Sequence, residues 1–144
     1  MKYFICLLFL CLGCVGGSRR SQKVDKNVSF AFIFGSCFTN DTVSLFVNDN
    51  LLVDKLTIQS DTVLGLAGLE IIQRLDSNSI LILYNRTEFF QPPITLKPDF
   101  DLKISKGQET YHFKIALKSG RLILVDGCQG KVMIRQSKKK LWFE

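Results

Sequence analysis

The side chains that could do chemistry are few and scattered. The chain has one histidine, His112, so a Ser-His-Asp or Cys-His pair would have to use it. His112 falls in the alternating run Tyr111 to Lys118, on the side shared with Lys114 and Lys118. That is the polar face of a strand, which suits a solvated ring better than a catalytic base. Asp99 and Asp101 flank Phe100 and would share one strand face. Paired carboxylates can carry acid/base work or hold calcium. Beside Pro98 they fit a turn leading into a strand better. Gly65-Leu66-Ala67-Gly68 lacks the Lys-Ser/Thr ending and the strand–helix setting of a phosphate loop. The pattern argues against an enzyme and calls for no cofactor.

Five cysteines are present. Cys6, Cys11 and Cys14 sit in the first stretch, which leaves Cys37 and Cys128 for the folded part. Neither belongs to a CxxC, and one histidine cannot complete a zinc site of three or four ligands. Both cysteines lie beside turn residues, Gly35-Ser36 before one and Gly127 and Gly130 around the other. In an exported chain they are expected to form a disulfide between those loops; the alternative is two buried free thiols.

Export is expected from the start of the chain. Met1-Lys2 is a short positive lead, Tyr3 to Leu12 is apolar, and small residues follow at Gly13, Gly16 and Gly17. The apolar run is far short of the about 20 residues that span a bilayer. Residues 1–17 therefore read as a signal peptide, cleaved after Val15-Gly16-Gly17. Leu12-Gly13-Cys14 resembles the end of a bacterial lipobox, although Cys11 stands where leucine is usual. That resemblance implies a lipid on Cys14 and attachment to a membrane. Asn27-Val28-Ser29, Asn40-Asp41-Thr42 and Asn85-Arg86-Thr87 fit the N-glycosylation sequon. They matter only in a eukaryotic secretory pathway and are void if the lipobox reading holds.

The 144-residue chain has a net charge of +6. Removing residues 1–17, with one lysine and no acid, leaves +5. The excess sits at the ends, in Arg19, Arg20, Lys23 and Lys26 and in Lys138, Lys139 and Lys140. Such ends read as solvated tails or edge protection. Aromatic residues do not interleave with them, so nucleic acid is not expected as a partner.

Ser18 to Asn27 is polar and aperiodic and reads as a flexible tether. The β domain is expected from Val28 to the C-terminus. Phe30, Phe32 and Phe34 alternate with Ala31 and Ile33 in a strand apolar on both faces, hence central. Thr42–Val47 and Leu51–Gln59 flank the turn Asn48-Asp49-Asn50. Leu64–Leu75 suits a strand better than a helix, given Gly65 and Gly68. Ser79–Tyr84 is a buried-type strand. Glu88–Leu96, broken by Pro92-Pro93, is an edge or crossover segment. Phe100–Ile104 opens a meander. Glu109–Asp126 reads as the central hairpin, turning at Ser119-Gly120, and Lys131–Gln136 and Leu141–Phe143 close the fold.

Turn signals about every ten residues indicate an all-β domain, a single antiparallel sandwich or barrel. The core is expected to include Phe32, Leu45, Val53, Ile71, Leu81, Leu83, Phe113, Ile115 and Leu124. The first functional expectation is an exported, non-catalytic binding or structural module in the periplasm or at the cell surface. Its partner would be a protein or glycan met at the turns Asn48, Asp49, Asn50 and Ser119. The second is a small barrel carrier of an apolar ligand. It would resemble lipocalins in size, export and Phe-rich strands, without a Gly-x-Trp near the first strand.

Cys14→Ser separates lipidation from ordinary cleavage. If the lipid is the attachment, the variant moves from the membrane to the soluble fraction on cell fractionation. A variant that stays membrane-bound contradicts it.

Overall fold

The computed structural model describes residues 27–138. The expected signal peptide, Cys14, most of the tether and the segment Leu141–Phe143 lie outside them. Asn27, the last residue of the expected tether, accepts a hydrogen bond from the Leu75 N–H at 2.6 Å.

Ten strands follow one another: β1 (Val28–Phe34), β2 (Asp41–Val47), β3 (Asn50–Ile58), β4 (Leu69–Arg74), β5 (Ile80–Tyr84), β6 (Thr87–Gln91), β7 (Asp99–Lys106), β8 (Glu109–Ala116), β9 (Leu122–Asp126) and β10 (Met133–Ser137). Among the described residues, helical geometry is confined to short 3-10 turns at Leu117–Ser119 and Cys128–Gly130. The strands form two sheets, ordered β10-β9-β1-β4-β5-β6 and β3-β2-β7-β8.

The inner faces of both sheets meet in one apolar cluster. The larger sheet contributes Phe30, Phe32 and Phe34, Ile71, Ile80 and Ile82, and Ile123 and Val125. The smaller contributes Val43, Leu45 and Val47, Leu102, Ile104 and Ile115. Each such side chain, fully buried, contributes about 1.5–3 kcal/mol. Period-two spacing explains the sorting: Phe100, Leu102 and Ile104 point inward while Asp99 and Asp101 are exposed.

The hairpin expected at Glu109–Asp126 does not form. β8 pairs with β7 through a two-residue turn at Gly107-Gln108, in the smaller sheet. β9 lies in the larger sheet, between β1 and β10. The two halves differ in pattern. β8 alternates and keeps His112 and Lys114 in solvent, whereas every residue of β9 is buried. A strand apolar on both faces needs a central place, which a partner with a wet face does not supply.

Residues 117–121 therefore cross between sheets. Gly120, with φ 152°, packs against the Ser137 backbone, where a Cβ would overlap the chain. Arriving by this crossover, β9 runs parallel to β1, with Phe32 beside Ile123. The fold is thus mostly, not wholly, antiparallel.

Register is the other correction. Leu81 and Leu83 are only half-buried, while Ile80 and Ile82 on the same strand fill the core. Leu124 is buried on the opposite face of its sheet, in a second cluster with Ala31, Ile33 and Leu122. Phe113 is half-buried against the main core. The remaining five expected core residues are buried in it.

The register makes a sharp contrast testable. Ile82→Ala is expected to cost about 2–5 kcal/mol in denaturant unfolding, and Leu81→Ala about 1 kcal/mol or less. Equal losses would contradict the inward placement of Ile82.

Candidate functional site

Strand directions sort the loops onto two ends. β1 and β9 run in parallel toward Phe34 and Asp126. The loops 35–40, 59–68, 85–86, 107–108 and 127–132 gather at that end. The turns at 48–49, 75–79, 92–98 and 117–121 gather at the other, where residue 27 enters β1 and residue 138 leaves β10.

Cys37 and Cys128 are joined as a disulfide, with Cα atoms 4.8 Å apart. The bond links the loop after β1 to the loop after β9, the two loops expected. Cys37 has φ 67°, a left-handed backbone that costs a non-glycine residue about 1 kcal/mol or more.

The neighbours over-determine that conformation. Asp126 is 6% exposed. Its Oδ1 accepts the Ser36 N–H at 2.9 Å and the Ser36 hydroxyl at 3.1 Å, and its Oδ2 pairs with Arg135 at 3.0 Å. Gly35 must lack a side chain here, because a Cβ would overlap Asp126 Oδ1. Phe38 is buried against Phe34, ring centroids 5.7 Å apart. Its N–H donates to Ser60 Oγ at 2.9 Å, and Ser60 Oγ donates to the Gly35 carbonyl at 2.8 Å. Lys106 Nζ donates to the Gly127 carbonyl at 3.0 Å and pairs with Asp41 at 3.5 Å.

The same end carries a loop that sequence reading did not single out. Asp61 Oδ1 accepts the N–H groups of Val63 at 2.7 Å and Leu64 at 2.9 Å. These bonds, Leu64 first, hold the Asp61 carboxyl below the usual carboxylate range. The Gly65 N–H closes the turn on the Asp61 carbonyl at 2.9 Å. Val63 and Leu64 are thereby displayed, 87% and 63% exposed. The available signal was Asp61 preceding two apolar residues and Gly65, a turn that no strand pattern needs.

The expected binding turns lie at the other end. Asn48 and Asp49 form the two-residue β2–β3 turn, with φ 45° and 64°. Asn48 Oδ1 accepts the Asp101 N–H at 2.9 Å, and Asn50 Nδ2 donates to the Val47 carbonyl at 3.2 Å. This turn is fixed to β7. Ser119 is exposed in the crossover rather than at a hairpin tip.

His112 stands on the outer face of the smaller sheet, paired across to Lys103. Asp99 and Asp101 share that face, opposite Ala116 and Lys114. Among the described residues, no group of three or more His, Cys, Asp or Glu side chains could hold a metal ion. No helix among them is long and apolar enough to cross a membrane. The sequon residues Asn27, Asn40 and Asn85 are all exposed at strand boundaries.

Compared with known proteins, the chain matches no family model, no curated protein and no solved structure.

The staple closes a loop with 91 residues of sequence separation. In the chain-entropy account that stabilises the fold by roughly 4–5 kcal/mol. C37S/C128S is expected to lose about that much in urea unfolding. Alkylation of the native protein without reductant should label neither cysteine, and labelling of both would contradict the bond.

Proposed function

We propose that the chain is an exported, non-catalytic β-sandwich that acts as a binding module for a protein or glycan partner. The observation that carries the reading is the Asp61–Gly65 loop. It is fixed by its own aspartate and presents two apolar side chains to solvent. A contact ordered before binding loses little conformational freedom when a partner closes on it. An apolar tip suits a protein partner better than a glycan.

The disulfide supports an oxidising compartment, the cell surface or periplasm, since such bonds are rare in reducing ones. Residues 27 and 138 lie at the end opposite the loop. A lipid on Cys14 would connect to the module through residue 27, at that end.

The carrier reading has less support. The Phe30 and Phe32 rings lie tilted to each other at 5.2 Å, and Phe32 meets Phe100 edge-on at 6.4 Å. The rings that would line a ligand cavity pack on one another instead. Rings packed on one another between two facing sheets favour the sandwich over a ligand-holding barrel.

The test is retention of a partner from the native envelope fraction on immobilised protein. V63D/L64D should lose it, and D49K/N50K, at the opposite end, should keep it. The reverse pattern would move the site to the Asn48-Asp49-Asn50 turn. No retention by the unmodified protein would overturn the binding reading.

A further inference from the structure

The four sheet edges are not equally protected. Native sheets guard their edges with charge, bulges, covering groups or short strands, because unpaired N–H and C=O groups recruit another strand. β3 is bulged at Asp54-Lys55, with Lys55 at φ 47°. Its carbonyls are also taken from the side: Tyr84 Oη donates to Thr57 at 2.6 Å, and Gln91 Nε2 to Leu52 at 3.0 Å. β8 carries Glu109, His112 and Lys114, and its Ala116 carbonyl accepts Gln136 Nε2 at 3.1 Å. β10 carries Arg135, with Lys131 and Lys138 on either side.

β6 is guarded least: it is short and unbulged, with Glu88 in it and Arg86 just before it. It pairs with β5 alone, without a register shift. Its one charge is Glu88. Phe89 and Phe90 are 52% and 66% exposed, and they alternate, so one points to each face of the sheet.

We infer that β6 is a docking edge for a second copy of this chain, paired antiparallel with the partner's β6 across a two-fold axis through Phe89. The argument for a second copy is self-complementarity. With Phe89 on the axis, Phe89 meets its own counterpart, Glu88 faces Phe90, and Thr87 faces Gln91. No like charges are opposed, and three of the five positions bring an apolar ring to the seam. The six-stranded sheets would join into one continuous sheet. Moving the axis to Glu88 would oppose the two carboxylates, and moving it to Phe90 would set Pro92, which has no N–H to donate, opposite Glu88. Pro92-Pro93 ends the edge on one side and the Asn85-Arg86 turn on the other, which limits the seam to these five residues.

So short a seam belongs to the small, weak class of interfaces, below about 1,200 Å², so the test runs up to about 100 µM protein. Sedimentation equilibrium should give a mass rising with concentration toward twice that of one chain. F89K places two lysines face to face on the axis and should return the mass to that of one chain, with the melting temperature unchanged. F90K, which leaves the axis residue intact, should weaken association about tenfold or more. Hydrogen exchange gives a second readout: amides of Thr87–Gln91 should slow with concentration while those of β10 do not. A single-chain mass at every concentration would overturn the inference. So would association that persists in F89K, or that leaves β6 exchange unchanged.

Discussion

The fold depends on one constraint: Leu122–Asp126 has no face it can give to water. A strand of that kind must have neighbours on both sides and cover above and below. β1 and β10 supply the sides, and Ile123 and Val125 face the common core. Leu122 and Leu124 pack with Ala31 and Ile33 on the reverse face. The crossover at 117–121, the parallel pair with β1 and the nearness of Cys128 to Cys37 all follow from putting β9 there. Had β9 folded back on β8, the two cysteines would have ended in different sheets.

Polar side chains close what the apolar core leaves open. Where the lateral margins of the sheets face each other, Tyr84 and Gln91 reach β3 on one side and Gln136 reaches β8 on the other. Gln73 is buried, and its amide both donates to and accepts from the Ile94 backbone, at 3.0 Å each way. That bond pair holds the proline-rich segment, which has no strand partner, against the sheet. Every buried side-chain nitrogen or oxygen among the described residues has a partner. Polar groups so enclosed are costly unless satisfied, so these amides fix the sheets' relative placement as well as stabilising it.

Much of this was legible locally. The Phe30-Phe32-Phe34 alternation, the Asn48-Asp49 turn, the reading of Glu88–Leu96 as an edge or crossover segment and the pairing of Cys37 with Cys128 rest on spacing and turn chemistry within a few residues. The failures share a cause. In Ser79–Tyr84 every second residue is apolar on either face, so periodicity could not choose between Leu81 and Ile82. Ser119-Gly120 looks like a turn whether the chain reverses beside itself or crosses to another sheet. The signal that separates them is the shift from alternating to continuous apolarity across it. Asp126 was visible too, as an acid ending an apolar run, but its partners Ser36 and Arg135 are fixed only by tertiary structure.

The covalent staple also sets how the molecule bears load. Cys37 and Cys128 bracket β2 through β9, and of the described strands β1 and β10 lie outside the staple, one on each side. Tension applied at the two ends must strip β10 from β9 and β1 from both β9 and β4, and then it meets the disulfide. The stretch behind that bond, with its ends 91 positions apart in sequence, carries no force and cannot extend while the bond lasts. A protein pulled at its two ends would lengthen by two short arms, and the stretch between the cysteines would stay closed.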